Sequence, residues 1–151
     1  MIKKISFLSI ILTFLIIITA CQPIKEMPTA KIKNQEIKLL VASSLAEKIK
    51  GLSGSTSLPV NQGMLFPYQD YKIRSFWMKN MNFPIDIVWI KDDVIIGFAK
   101  NVPPPTGNQT DNQLPRYLSN EPVNFVLELN AGWLDQNQVL VGDRVDFFNL
   151  E

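Results

Sequence analysis

The chain has 151 residues, 46% of them hydrophobic and 19% charged, a size and composition suited to one domain. Its 15 basic and 14 acidic residues give a net charge of +1, which lacks the positive excess that binding to nucleic-acid phosphates or a polybasic membrane patch requires. It has no histidine, which excludes Ser-His-Asp and Cys-His catalysis and His-ligated zinc, and its single cysteine, Cys21, excludes an internal disulfide.

Residues 1–20 read as a targeting segment. Lys3 and Lys4 form a short positive region, and Ile5 to Ile18 is almost wholly apolar but shorter than the roughly 20 residues a membrane span needs. Ile18-Thr19-Ala20-Cys21 resembles a lipobox, so Cys21 is expected to become the lipidated N-terminus and to anchor an extracytoplasmic protein to the cell membrane. Gln22 after the cysteine resembles the sorting signal of outer-membrane lipoproteins in double-membrane bacteria. Residues 21–34 are polar, contain Pro23 and Pro28, and read as a flexible tether. A single domain is expected over 35–151.

Glu36 to Ala42 reads as the first strand. Ser44-Leu45-Ala46-Glu47 matches a capping box, which predicts a short helix ending at Gly51. Gly63 to Phe66 is predicted as a brief strand and Pro67 to Arg74 as a connection. Phe76-Trp77-Met78-Lys79-Asn80 reads as a strand with apolar bulk on both faces, closed by a turn at Pro84. Ile85 to Ile90 and Val94 to Ala99, with Asp92-Asp93 between them, predict a hairpin. Residues 101–119, with three consecutive prolines at 103–105, form a long loop of the kind that often acts as a binding loop or lid. Val123 to Leu129 alternates as a strand, Ala131 to Asp135 reads as a helical turn, and Val139 to Leu150 as a returning strand.

Gly63-Met64-Leu65-Phe66, Phe76-Trp77-Met78-Lys79-Asn80 and Pro84-Ile85-Asp86 together resemble the motif set of the DUF192 family of bacterial and archaeal proteins. Gly51-Leu52, Leu58-Pro59, Val126-Leu127-Glu128-Leu129, Gly132 and Gly142-Asp143 extend the match over most of the chain after residue 40. The resemblance implies a mainly β fold, a small jelly-roll-like sandwich or open barrel with one or two short helices. It implies no particular activity. The chain departs from the family pattern at Met81, where a threonine is usual, and at Ser53-Gly54-Ser55, where Met-Phe-Arg is usual.

The candidate site is the end of the central motif. Trp77 offers a stacking face, Lys79 a charge, Asn80 a donor and acceptor, and Asp86 a carboxyl that needs a partner on an apolar face. Arg116 and Tyr117 are the ligand-facing candidates of the long loop, and Glu128 is a second carboxyl. No nucleophile–base pair is evident, so the expected function is a membrane-anchored binding or accessory module for a small molecule or envelope glycan, with no cofactor and no metal. Two alternatives are an envelope-glycan hydrolase using Asp86 and Glu128, and Cu(I) binding through Met64, Met78 and Met81.

Overall fold

The structure is a computed structural model and describes residues 26–107 and 109–150. The targeting segment and Cys21 therefore lie outside the described residues. Among the described residues there are nine strands and two short helices, and no helix is long and apolar enough to cross a membrane.

Seven strands form one sheet: β1 (Thr29–Ile32), β2 (Gln35–Val41), β3 (Gln62–Lys72), β5 (Ile85–Lys91), β6 (Val94–Val102), β8 (Val123–Asn130) and β9 (Val145–Phe148). Their spatial order is β6-β5-β8-β3-β2-β1-β9, and only the β2–β3 pair is parallel. That parallel step needs a crossover, which α1 (Leu45–Lys50) and the loop after it supply. The capping box is present at Ser44 and Glu47 as the sequence predicts. The remaining strands, β4 (Ser75–Phe76) and β7 (Tyr117–Leu118), form a separate two-stranded ribbon.

The sheet curls into a half-barrel whose two edges meet. Val94 of β6 bridges Arg144 just before β9, the Val145 N–H donates to the Asp93 carbonyl at 2.8 Å, and the Ile95 N–H donates to the Asp143 carbonyl at 2.9 Å. Edge groups that would otherwise invite pairing with another chain are satisfied along this seam. Inside the roll, alternate residues of every main strand pack together: Ile37, Leu65, Val88, Ile90, Leu127 and Leu129 are all buried. α2 (Trp133–Gln136) plugs the inside with Trp133 and Leu134.

The outer face of the central strands is covered as well. Met64, Phe66, Ile87, Trp89 and Val126 lie there beneath Met78 and Met81 of the central motif. This two-sided burial explains why β5 is buried at every position except Lys91. Gly63 belongs to the same packing: a Cβ there would stand 2.9 Å from methyls of both Leu127 and Leu129, so the motif glycine lets β3 lie against β8.

Several sequence expectations are corrected. Residues 29–32, expected as part of the tether over 21–34, are a strand instead: Thr29-Ala30-Lys31-Ile32 alternates, buries Ala30 and Ile32, and pairs with both β2 and β9. β3 runs on through Pro67 to Lys72, with a register shift between those two residues that absorbs the proline. The strand expected over Phe76 to Asn80 stops at Phe76. Lys79 and Asn80 form a turn in which Asn80 has φ +55°, a left-handed conformation that asparagine tolerates. The long loop is partly ordered, with a 3-10 turn at Asp111–Gln113 and β7 at Tyr117–Leu118.

Candidate functional site

Glu128 sits in the middle of β8 and is flanked by Met64 on β3 and Ile87 on β5. All three point to the outer face of the sheet, beneath the central motif. Glu128 is 5% exposed, and its Oε2 is the one buried side-chain polar atom among the described residues that has no hydrogen-bond partner. Burial pushes its carboxyl up to about 8 from an ordinary 4.5, so it is mostly the neutral acid at pH 7. An unpartnered buried carboxyl is costly to a fold, and its retention points to a use.

The carboxyl borders a small cavity of about 30 Å³, whose walls include Phe66, Phe76, Trp77 and Met81 together with Lys48, Lys50 and Ser53. That volume suits one water-sized group. Two segments form the roof, and they are laced together. The Ser53 hydroxyl donates to the Lys79 carbonyl at 2.6 Å, the Gly54 N–H to the Asn80 carbonyl at 2.8 Å, and the Asn82 amide to the Ser55 carbonyl at 2.8 Å. Both departures from the family pattern, Ser53 to Ser55 and Met81, thus fall in this roof. Phe76 is edge-on to Phe66 and to Trp89, which fixes the wall.

Outward of Trp77 the cleft widens into a vestibule of about 290 Å³, bounded by Leu45, Lys48, Ile49, Tyr68, Trp77 and Arg116. It shares Lys48, Ile49, Phe76 and Trp77 with the inner cavity. The Arg116 guanidinium lies 3.8 Å from the centre of the Trp77 ring, and the Lys48 ammonium 4.6 Å from that of Tyr68. Tyr68 also carries Arg74 on its ring at 3.6 Å. Burial raises the Tyr68 hydroxyl above its ordinary range, an effect Arg74 opposes and Glu128 reinforces.

Of the residues singled out in the sequence, Trp77, Arg116 and Glu128 meet at this cleft. Lys79 turns to the long loop, where it pairs with Asp111 at 2.6 Å beside a groove of about 220 Å³ that Asn80 also lines. Tyr117 packs against the outer apolar cluster from β7. Asp86 lies elsewhere. It points into the roll, fully buried, with Oδ1 accepting from the Asn101 N–H at 2.7 Å and Oδ2 from the Leu134 N–H at 3.0 Å. Its partners are backbone amides of β6 and α2, not Lys79, Asn80 or the Pro84 turn.

Asp86 pairs in register with Leu129, and Ile87 with Glu128, so the two carboxyls project from opposite faces of the sheet. They cannot flank one glycosidic bond, and the two-carboxyl hydrolase has no geometric basis. Met64, Met78 and Met81 are all buried in the outer cluster, but only Met81 borders the cavity with Glu128. Among the described residues no group of three His, Cys, Asp or Glu side chains is arranged to hold a metal ion. Sequence reasoning missed Lys48, Tyr68, Phe66 and Phe76 as cleft residues; the apolar pair Leu45 and Ile49, four apart on a capped helix with no buried residue, is the signal that this helix borders something.

The family profile DUF192, described as uncharacterized ACR, matches residues 28–147, and the chain belongs to that family. No curated protein matches it. Among solved structures, it is similar to a protein of Sinorhizobium meliloti described as a candidate transcription regulator: TM-score 0.73, 26% identity, covering 83% of this chain and 97% of that one. It is also similar to a protein of unknown function from Novosphingobium aromaticivorans: TM-score 0.69, 25% identity, covering 83% of this chain and 89% of the other.

Proposed function

We propose that the chain is a membrane-anchored accessory module that binds a small molecule in the cleft between Trp77 and Glu128. The observation that carries this reading is the unpaired Glu128 oxygen beside an aromatic-walled cavity. A few polar groups, here Glu128, Lys48, Lys50 and Ser53, converging beside apolar and aromatic walls are the usual make-up of a small-molecule site. The lipobox at Cys21 supports an extracytoplasmic, lipid-anchored location. β1 begins at Thr29, so seven residues separate it from Cys21, a reach of at most about 29 Å. The domain would then stand close to the bilayer. No nucleic-acid partner is proposed, because without Lys3 and Lys4 the chain carries thirteen basic against fourteen acidic residues.

A fragment library screened against the full chain in detergent micelles by ligand-observed NMR tests the binding reading. Hits are expected to weaken at least tenfold in Trp77→Ala. Hits that bind the variant equally well, or a library with none, would overturn it. Labelling cells with a fatty-acid probe tests the anchor: label on the wild-type chain that disappears in Cys21→Ser is expected, and an unlabelled wild-type chain contradicts it.

A further inference from the structure

The cleft has two chemically different ends, and they specify the ligand further. The inner end holds the buried Glu128 carboxyl among Phe66, Phe76, Trp77 and Met81, with Lys48, Lys50 and Ser53 also on its lining, and has space for one water-sized group. Such a carboxyl donates one hydrogen bond and accepts another, so a hydroxyl satisfies both of its atoms. The outer end is cationic. Lys48 and Arg116 line the vestibule and no aspartate or glutamate does. Elsewhere Lys33, Lys72, Arg74, Lys79, Lys100 and Arg144 are matched to aspartates, while Lys31, Lys38, Lys50 and Lys91 form no ion pair among the described residues and line no such vestibule. Lys48 and Arg116 instead rest on aromatic rings and form no ion pair among the described residues. The Lys48 ammonium and the Arg116 guanidinium themselves lie on the rings, which places both charges at the vestibule wall with no carboxylate to neutralise them. Between the two ends run the apolar sides of Leu45, Ile49, Phe76 and Trp77. Leu45 is 75% and Ile49 66% exposed on a helix that buries nothing.

We propose, building on the binding reading above, that the cleft takes a small molecule with a carboxylate or phosphate at its outer end, an apolar middle and a hydroxyl at its inner end. The anion sits between Lys48 and Arg116. The apolar body covers Leu45 and Ile49 against Trp77. The hydroxyl enters the inner cavity and gives Glu128 its missing partner. A ligand with an ammonium at the outer end is repelled by the same two cations.

Binding of three named probes to the full chain in micelles, followed by calorimetry and ligand-observed NMR, tests this. Para-hydroxyphenylacetate carries both features, phenylacetate lacks the hydroxyl, and tyramine replaces the acid with an amine. Para-hydroxyphenyl phosphate separates a phosphate from a carboxylate preference. The hydroxy acid or its phosphate counterpart is expected to bind at least tenfold more tightly than either control. The preference over tyramine should vanish in the Lys48→Ala, Arg116→Ala double variant and weaken with salt. The preference over phenylacetate should vanish in Glu128→Gln. Arg116 is exposed, Lys48 is half-buried and neither forms an ion pair among the described residues, so the double variant should fold even where Glu128→Gln does not. Tyramine binding best would overturn the anion assignment while leaving the cleft as a ligand site. Equal binding of the acid and tyramine would do the same. Failure of all four probes to bind the cleft would overturn the assignment, and the fragment screen then shows whether the cleft itself fails.

Discussion

Asp86→Asn is expected to lower the unfolding free energy of the full chain by about 2–4 kcal/mol, read from the denaturant midpoint. Both Asp86 oxygens accept backbone N–H groups, at 2.7 Å from Asn101 and 3.0 Å from Leu134. Asparagine keeps one acceptor and turns an amide NH₂ against the other N–H. The replacement loses one charge-assisted bond, weakens the second and leaves a buried donor unsatisfied. The two amides belong to the end of β6, where Asn101 has φ +51°, and to the first turn of α2. Asp86 therefore fixes the plug of the half-barrel to its wall. Because it faces the inside of the roll, ligand binding at the Trp77 cleft should survive in whatever fraction remains folded. An unchanged midpoint would mean that these two bonds do not tie the plug.

Glu128→Leu is expected to act in the opposite direction. The glutamate is raised in the folded chain, to about 8 against an ordinary 4.5. Below pH 4.5 the carboxyl is protonated in both states and contributes nothing to the pH dependence. As pH rises toward 8 the unfolded chain releases this proton while the folded chain holds it, so the group progressively lowers stability. The loss levels off above that pH. Its size is about 3 kcal/mol at neutral pH and about 4–5 kcal/mol at the plateau. Leucine removes the effect and the unpaired polar atom together, so the variant should be the more stable protein at pH 7 and above. Its stability should also be flatter with pH over this window. The same substitution should abolish the preference for a hydroxyl-bearing ligand. Stability gained as binding is lost is the pattern of a group kept for function at a cost to the fold.

The contrast between these two carboxyls shows what could be read from the sequence. Strand and turn placement follows local pattern, so the β5–β6 hairpin, the Ser44 capping box and the alternation of β8 were legible. The mainly β class followed from those same patterns and the family resemblance, and the structure has it. β1 was not legible, because four residues beside Pro28 are too short a pattern to stand out until β2 and β9 supply partners on both sides. The central motif reads as a strand because its residues are bulky, but its bulk serves as a roof over the sheet rather than as part of it.

Asp86 and Glu128 were both visible as carboxyls in apolar strands. Their roles depend on partners that no local signal records. The amide that meets Asp86 Oδ2 is 48 residues away in the chain. Glu128 alternates with Val126 on a face that could have been open to solvent, and only the folding of the 51–55 loop and the 79–82 turn over that face buries it. Arg116 was singled out for its loop, yet its place at the cleft comes from the Trp77 ring beneath it. Lys48 carried no signal beyond its place on a short exposed helix.

The central claim is that Glu128 holds a neutral, unpaired carboxyl at the floor of the cleft. A carbon-13 NMR titration of the Glu128 side-chain carboxyl in the full chain tests it directly. A midpoint near the raised value of about 8, moving when para-hydroxyphenylacetate is added, is the predicted result. A midpoint near the ordinary 4.5, unchanged by any of the probes, would mean that the carboxyl is already solvated or paired, and would contradict the account.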